Sequence, residues 1–227
     1  LVKTEYLNPH ILSFCSTSDL LSQWRAYGSE SEGVCLEFDL STTCLSADNK
    51  RLSATGYLVP VIYDDLIKKA IIVELANEIE ELLLSVKICN ESFEAFDNNE
   101  KHFLFGMILS MFIVPLLSFK DRSYAEESEW RAIFLPSKEE IVELRNFRTT
   151  NGTFTPYIEA SFFCFLDNEL VKTTLLPLKG VCLPPASGEL SQHGLKLFLQ
   201  KHGYKEGFSS DISHSSIPLR SKKAIHW

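Results

Sequence analysis

Apolar and polar residues alternate along Val34–Leu40, with Val34, Leu36 and Phe38 on one side and Cys35, Glu37 and Asp39 on the other. A period of two is the mark of a half-buried strand. Apolar runs at Leu12–Cys15, Tyr57–Tyr63, Trp130–Leu135, Tyr157–Phe165, Leu178–Leu183 and Ile212–Leu219 predict further strands, and Pro60 puts the second of these at a sheet edge or a bulge. Elsewhere the period lengthens. Leu66, Ile67, Ala70, Ile71, Leu75, Ile79, Leu82 and Leu83 follow a helical repeat and predict a long amphipathic helix, capped by Asp64 or Asp65 and ending near Lys87. Glu189–Lys201 predicts another helix, with Gly203 just beyond it. A short helix over Leu20–Tyr27 is expected to be capped by Ser18 or Asp19 and ended by Gly28 in the left-handed conformation.

Phe103–Phe119 holds 17 residues without a charge. A bilayer span needs ~20. Gly106, Ser110, Pro115 and Ser118 interrupt the run, and Lys120, Asp121 and Arg122 stop it, so it reads as a core helix rather than a membrane span. The order of strands, two central helices, strands, helix and strand predicts an α+β fold: a mostly antiparallel sheet with two central helices and a C-terminal helix packed on it. No repeat or Gly/Ser linker divides the chain, and residues 1–227 read as a single domain.

Hydrophobic residues make up 45% of the chain and charged residues 23%, which excludes broad disorder. A net charge of −8 argues against general nucleic-acid binding, although basic residues cluster at Lys120–Arg131 and Arg220–Lys223. The six cysteines form no Cys-x-x-Cys pair and lie mostly in apolar runs, as expected of thiols in a reduced, cytoplasmic compartment. The histidines are scattered, with no His-Glu-x-x-His or His-x-His spacing, so no metal site is expected.

Three blocks concentrate the chemistry-bearing residues. The first, Phe14–Gly28, sets Ser16, Thr17, Ser18 and Asp19 before a helix carrying Trp24, Arg25 and Tyr27. The second, Tyr124–Arg131, carries Glu127, Glu129, Trp130 and Arg131, and the third closes the chain as Ser-Ser-Ile-Pro-Leu-Arg over Ser215–Arg220. Glu127, Glu129 and Arg131 are expected to share one face of a strand, and Trp130 and Ala132 the other. Two neighbouring carboxylates repel unless a cation such as Arg25 or Arg131 pairs with them, and a cleft holding them would raise one pKa toward that of a general base. The hydroxyls of Ser16–Ser18 and the free amides of the following helix would suit a phosphate or ribose, or else act only as a cap. Cys15 and Cys35 have no histidine beside them in sequence, and no Gly-x-Ser-x-Gly elbow supports a serine nucleophile.

The blocks resemble the bacterial domain-of-unknown-function family 2971. Its Cys/Ser-Phe-Ser start, Asp, Trp and Gly-Val-Cys-x-x-Phe-Asp are matched by Cys15, Ser16, Asp19, Trp24, Tyr27, Gly33, Val34, Cys35, Phe38 and Asp39. Its Phe-Lys and Tyr-x-x-Glu-x-Glu-Trp-Arg are matched by Phe119, Lys120, Tyr124, Glu127, Glu129, Trp130 and Arg131. Two departures stand out: Pro184-Pro185 replaces a Gly-Pro, and Leu219 replaces a Tyr. The family's opening Tyr-rich strand and Asn-Asp-Pro-Phe segment are missing, which implies a C-terminal portion of a longer family domain or a diverged start.

In outline the hydroxyl turn and later Glu-x-Glu are similar to ADP-ribosyltransferases. The resemblances imply a cytoplasmic effector associated with antiphage defence or toxicity, handling a nucleotide such as NAD. Glu129 would be the catalytic carboxylate and Glu127 its helper. Arg25 and Arg131 would contact phosphate, and Ser16, Thr17 and Ser18 ribose or phosphate. Asp19, Trp24, Tyr27 and Tyr124 would line the same ligand site. The alternative from the residues themselves is a non-catalytic sensor or protein-interaction module, with the Trp/Arg/Glu blocks forming a buried polar network.

Overall fold

The structure is a computed structural model that describes residues 9–28, 33–47, 56–89, 97–150, 152–166, 169–204 and 212–218. The elements run β1 (His10–Cys15), α1 (Leu21–Ala26), β2 (Cys35–Phe38), β3 (Thr43–Ser46), β4 (Tyr57–Pro60), α2 (Asp65–Cys89) and α3 (Asn98–Ser118). A short 3₁₀ helix (Arg122–Glu127) leads into β5 (Glu129–Phe134) and α4 (Lys138–Leu144). Then come β6 (Arg145–Thr150), β7 (Thr153–Ile158), β8 (Ser161–Leu166), β9 (Glu169–Lys172), β10 (Leu178–Leu183), α5 (Glu189–Lys201) and β11 (Ile212–His214). This is an α+β fold. The β2–β10, β3–β8, β4–β5, β6–β7 and β8–β9 pairs are antiparallel, and β10–β11 is parallel.

The chain divides into two compact units. One comprises Ile11–Phe14 and Tyr57–Ile133. Its sheet has the order β1-β5-β4, so Pro60 lies on an edge strand, where a missing N–H breaks no ladder. Asp64 caps α2 as the sequence predicts, accepting from the amides of Leu66 (2.8 Å) and Ile67 (3.1 Å). Leu104 of α3 is buried, and among the described residues no helix is long and apolar enough to cross a membrane. After α3 the chain is pinned alongside residue 62: the Ile62 amide donates to the Ser118 carbonyl, and the Lys120 amide donates to the Ile62 carbonyl. That pinning fixes where the Lys120 side chain starts.

The other unit takes the described residues of Leu1–His10, Cys15–Gly56 and Phe134–Trp227. It contains sheets of order β11-β10-β2 and β3-β8-β9 and the β6–β7 hairpin. Val181 and Leu183 of β10, Ile212 of β11 and Leu199 of α5 form a buried cluster, flanked by Leu178, Leu195 and Tyr204. The hairpin turns through Gly152 at φ 75°, a conformation glycine adopts without strain.

Several local expectations are corrected. Leu20, not Ser18 or Asp19, is the N-cap of α1, and no side chain caps that helix. Gly28 is not among the residues of positive φ. Its glycine is needed for space instead, because a Cβ there would come within 2.8 Å of the Trp24 ring. Tyr157–Phe165 is two strands, β7 and β8. β3, β9 and α4 carry too few residues to show a period, and β6 is polar except for Phe147, yet α4 has a readable start: Ser137 and Glu140 form a reciprocal capping box. The last strand stops at His214, and Leu219 and Arg220 lie outside the described residues.

Candidate functional site

Of the sequence-predicted residues, Tyr124, Glu127, Glu129 and Arg131 join one network and Asp19 and Trp24 another, one in each unit. The first is centred on Glu129, which is 6% exposed. Glu127 does not share its strand. It ends the 3₁₀ helix, and Ser128 then turns the chain through the left-handed region at φ 44°, ψ 49° before β5 begins. A non-glycine residue rarely adopts that conformation. The turn corrects the expected face of three residues, yet it lets both carboxylates reach one ammonium: Lys120 Nζ lies 2.5 Å from Glu127 Oε2 and 2.8 Å from Glu129 Oε2. On β5, Arg131 follows Glu129 on the same face and folds back along the strand. Its Nε donates to Glu129 Oε1 at 2.8 Å and its Nη2 to Oε2 at 3.2 Å. Arg131 Nη1 donates to the Leu117 carbonyl near the end of α3.

Ser13 of β1, 116 residues earlier, donates to Glu129 Oε1 at 2.6 Å, and the Glu129 amide donates to the Tyr63 hydroxyl at 2.9 Å. Each carboxylate oxygen of Glu129 thus accepts from two donors: Ser13 and Arg131 on Oε1, Lys120 and Arg131 on Oε2. Lys120 also sits 4.8 Å from the centre of the Tyr124 ring, a cation–π contact that leaves Tyr124 half exposed.

The electrostatics reverse the expected rise in carboxylate pKa. Burial alone pushes the Glu129 carboxyl up, but hydrogen bonds from Arg131, Lys120 and Ser13 and the Arg131 charge outweigh it and hold it at about 2. Lys120 shows the counterpart. Burial pulls its ammonium down, and the bonds to Glu127 and Glu129 overcome this, raising it to about 12. Glu129 is the most buried of the four groups.

The second network is centred on Asp19. Its Oδ1 accepts from Trp24 Nε1 at 2.7 Å and from Ser215 Oγ at 2.5 Å. Its Oδ2 accepts from the Ser216 amide at 2.8 Å and the Ser216 hydroxyl at 3.1 Å. The first and third sequence blocks, 196 residues apart, therefore meet. Asp19 is not a helix cap because its oxygens are aimed at this C-terminal segment. Burial raises its carboxyl, while the Ser215, Trp24 and Ser216 bonds together lower it below the usual aspartate value. Trp24 is buried, whereas Ser16, Thr17, Ser18, Arg25 and Tyr27 are exposed.

Sequence reasoning missed Ser13, Tyr63, Lys120, Ser215 and Ser216 as members of these networks. For Lys120 and the two serines the signal was present: one closes the apolar run of α3, and the others open the C-terminal block. Nothing local marks Ser13 or Tyr63, whose roles depend on long-range contacts with Glu129.

Fold and site define an α+β protein in which Asp19, Trp24, Glu127, Glu129 and Arg131 are engaged in two polar networks. Residues 23–132 match the family described as Protein of unknown function (DUF2971). The match takes in Trp24 and the whole Tyr124–Arg131 block but not Ser16–Asp19 or Ser215–Arg220. No curated protein and no solved structure matches the chain.

Proposed function

We propose that the protein is a non-catalytic interaction or sensor module, in which the Glu129 and Asp19 networks hold the fold rather than process a substrate. The observation that carries this reading is the saturation of Glu129: both oxygens accept two internal hydrogen bonds each. A carboxylate held at about 2 is a weak proton acceptor at neutral pH, since a general base works best when its pKa lies near the working pH. An NAD-handling, ADP-ribosyltransferase-like role would need this carboxylate turned toward a ligand, with Arg131 free to meet phosphate. Arg131 is instead spent on Glu129 and the Leu117 carbonyl. Exposed apolar side chains on α2, Leu66, Ile67 and Val73, offer the kind of surface that a protein partner covers.

The test is a thermal-shift series with NAD, ATP and a nucleic-acid oligomer on the wild-type chain, paired with Glu129→Gln. The module reading expects no stabilisation by these ligands and a lower melting temperature for the variant. Saturable stabilisation by NAD that Glu129→Gln abolishes, with the melting temperature of the variant unchanged, would overturn it.

A further inference from the structure

Cys35 and Cys182 stand directly opposite each other on β2 and β10, the register running Val181↔Leu36 and Cys182↔Cys35. Directly opposed residues of an antiparallel pair project from the same face, with Cα atoms about 4.5 or 5.5 Å apart depending on the hydrogen-bonding site. Both separations fall within the range of about 4.4–6.8 Å that a disulfide requires. The other cysteines near one another on a sheet do not share this arrangement. Cys164 faces Thr43, and Cys44 faces Phe163, so Cys44 and Cys164 project to opposite faces.

We propose that Cys35 and Cys182 form a reversible cross-strand disulfide that clips β2 to β10 when the protein meets a low-molecular-weight disulfide. Cys35 is half-buried and Cys182 buried, so Cys35 is the thiol that a small oxidant reaches first. Its thiolate attacks one sulfur of the incoming disulfide, forming a mixed disulfide and expelling one thiolate. The Cys182 thiolate then attacks the Cys35 sulfur, and the second small thiolate leaves. Two protein thiols and one small disulfide give one protein disulfide and two small thiols, so atoms and electrons balance.

Two features of the site shape the kinetics. Burial raises the Cys182 thiol, and the hydroxyl of Ser213, beside it in the parallel register of β11, offsets only part of that rise, so the resolving step is slow. Burial first, then the neighbouring negative charges of Cys182, Cys15, Glu37 and Asp19, push the Cys35 thiol up to about 11. Glu37 is itself paired with Lys179 at 3.1 Å, which tempers its share. A thiol so rarely ionised at neutral pH reacts slowly, which suits a pair that answers to sustained oxidation and is otherwise packed as two small apolar groups. A reducing compartment would reopen the bond.

The experiment incubates the folded, full chain with oxidised glutathione, traps remaining thiols by alkylation and maps disulfide-linked peptides by mass spectrometry. The expected result is a Cys35–Cys182 link. Its formation rate should rise about tenfold per pH unit between about pH 7 and 9, following the thiolate fraction. Cys182→Ser should accumulate a glutathione adduct on Cys35, and Cys35→Ser should leave Cys182 unmodified in the folded state. If Cys182→Ser does not fold, the wild-type peptide map and Cys35→Ser still decide the matter. Linkage of Cys15 to Cys35, a Cys35–Cys182 bond formed only in denaturant, or no bond in the folded chain would each overturn the proposal.

Discussion

At the scale of single residues, Glu129 is the most consequential side chain described. Replacing it with Gln removes the charge that faces Lys120 and Arg131 but keeps the shape. Breaking a buried pair from one side leaves an uncompensated cation, so Glu129→Gln should lower unfolding stability by roughly 3 kcal/mol, read by urea denaturation. Its pH signature follows from the two shifted groups. Glu129 falls from an ordinary 4.5 to about 2 on folding, so its contribution is present above about pH 4.5 and is lost as pH drops toward 2. Lys120 rises from 10.5 to about 12, so its contribution is complete below 10.5 and is lost as pH climbs through about 12. Melting temperature against pH should therefore show an acid limb that Glu129→Gln flattens and an alkaline limb that Lys120→Met flattens. Asp19 belongs to the same scale. Ser215→Ala takes one donor from its carboxylate and should cost about 1–2 kcal/mol in the same denaturation assay.

At the scale of elements, the Glu129 network depends on how two segments end. α3 stops where Ser118 Oγ turns back to the Pro115 carbonyl at 2.7 Å, and the Lys120 amide then bonds to Ile62, delivering Lys120 to the network. The 3₁₀ helix stops at Ser128, whose left-handed backbone sets Glu127 and Glu129 around one ammonium. A β-branched residue tolerates that conformation poorly, and Ser128→Val should destabilise by about 1–2 kcal/mol. Calorimetry of the variant should also show a smaller alkaline limb, because Lys120 would lose one of its two carboxylates. The elements themselves were unequally legible. α2 and α5 repeat over enough residues for a helical pattern to show, and both starts were placed within a residue of the structure. α4 spans only Lys138–Leu144, too short for a period, although Ser137 and Glu140 announce its capping box.

At the scale of the whole molecule, the compact units are not successive stretches of chain. Ile11–Phe14 joins Tyr57–Ile133, while Cys15–Gly56 joins Phe134 onward. The family match, residues 23–132, therefore cuts across both. That fragment would keep β2 without its partner β10, β5 without β1, Trp24 without Asp19, and Glu129 without Ser13. Residues 23–132 expressed alone should accordingly fail to unfold cooperatively, whereas the full chain should show a sigmoidal transition by circular dichroism. A cooperative, well-dispersed fragment would mean that these long-range pairings are dispensable.

The sequence by itself determined what periodicity and residue type can encode: the α+β class, the two central helices, the C-terminal helix and the blocks that hold Asp19, Trp24, Glu127, Glu129 and Arg131. These follow from local rules, because a face that must be buried shows itself every second residue or every third to fourth. Only the tertiary structure decided what the blocks do. Ser13, Tyr63, Lys120 and Arg131 converge on Glu129 from four stretches of chain, and Ser215 and Ser216 reach Asp19 across nearly the whole sequence. A carboxylate's pKa is set by the donors around it, not by its neighbours in sequence. The same Glu-x-Glu that suggests a general base in the sequence contains, once those donors are in place, a carboxylate held at about 2.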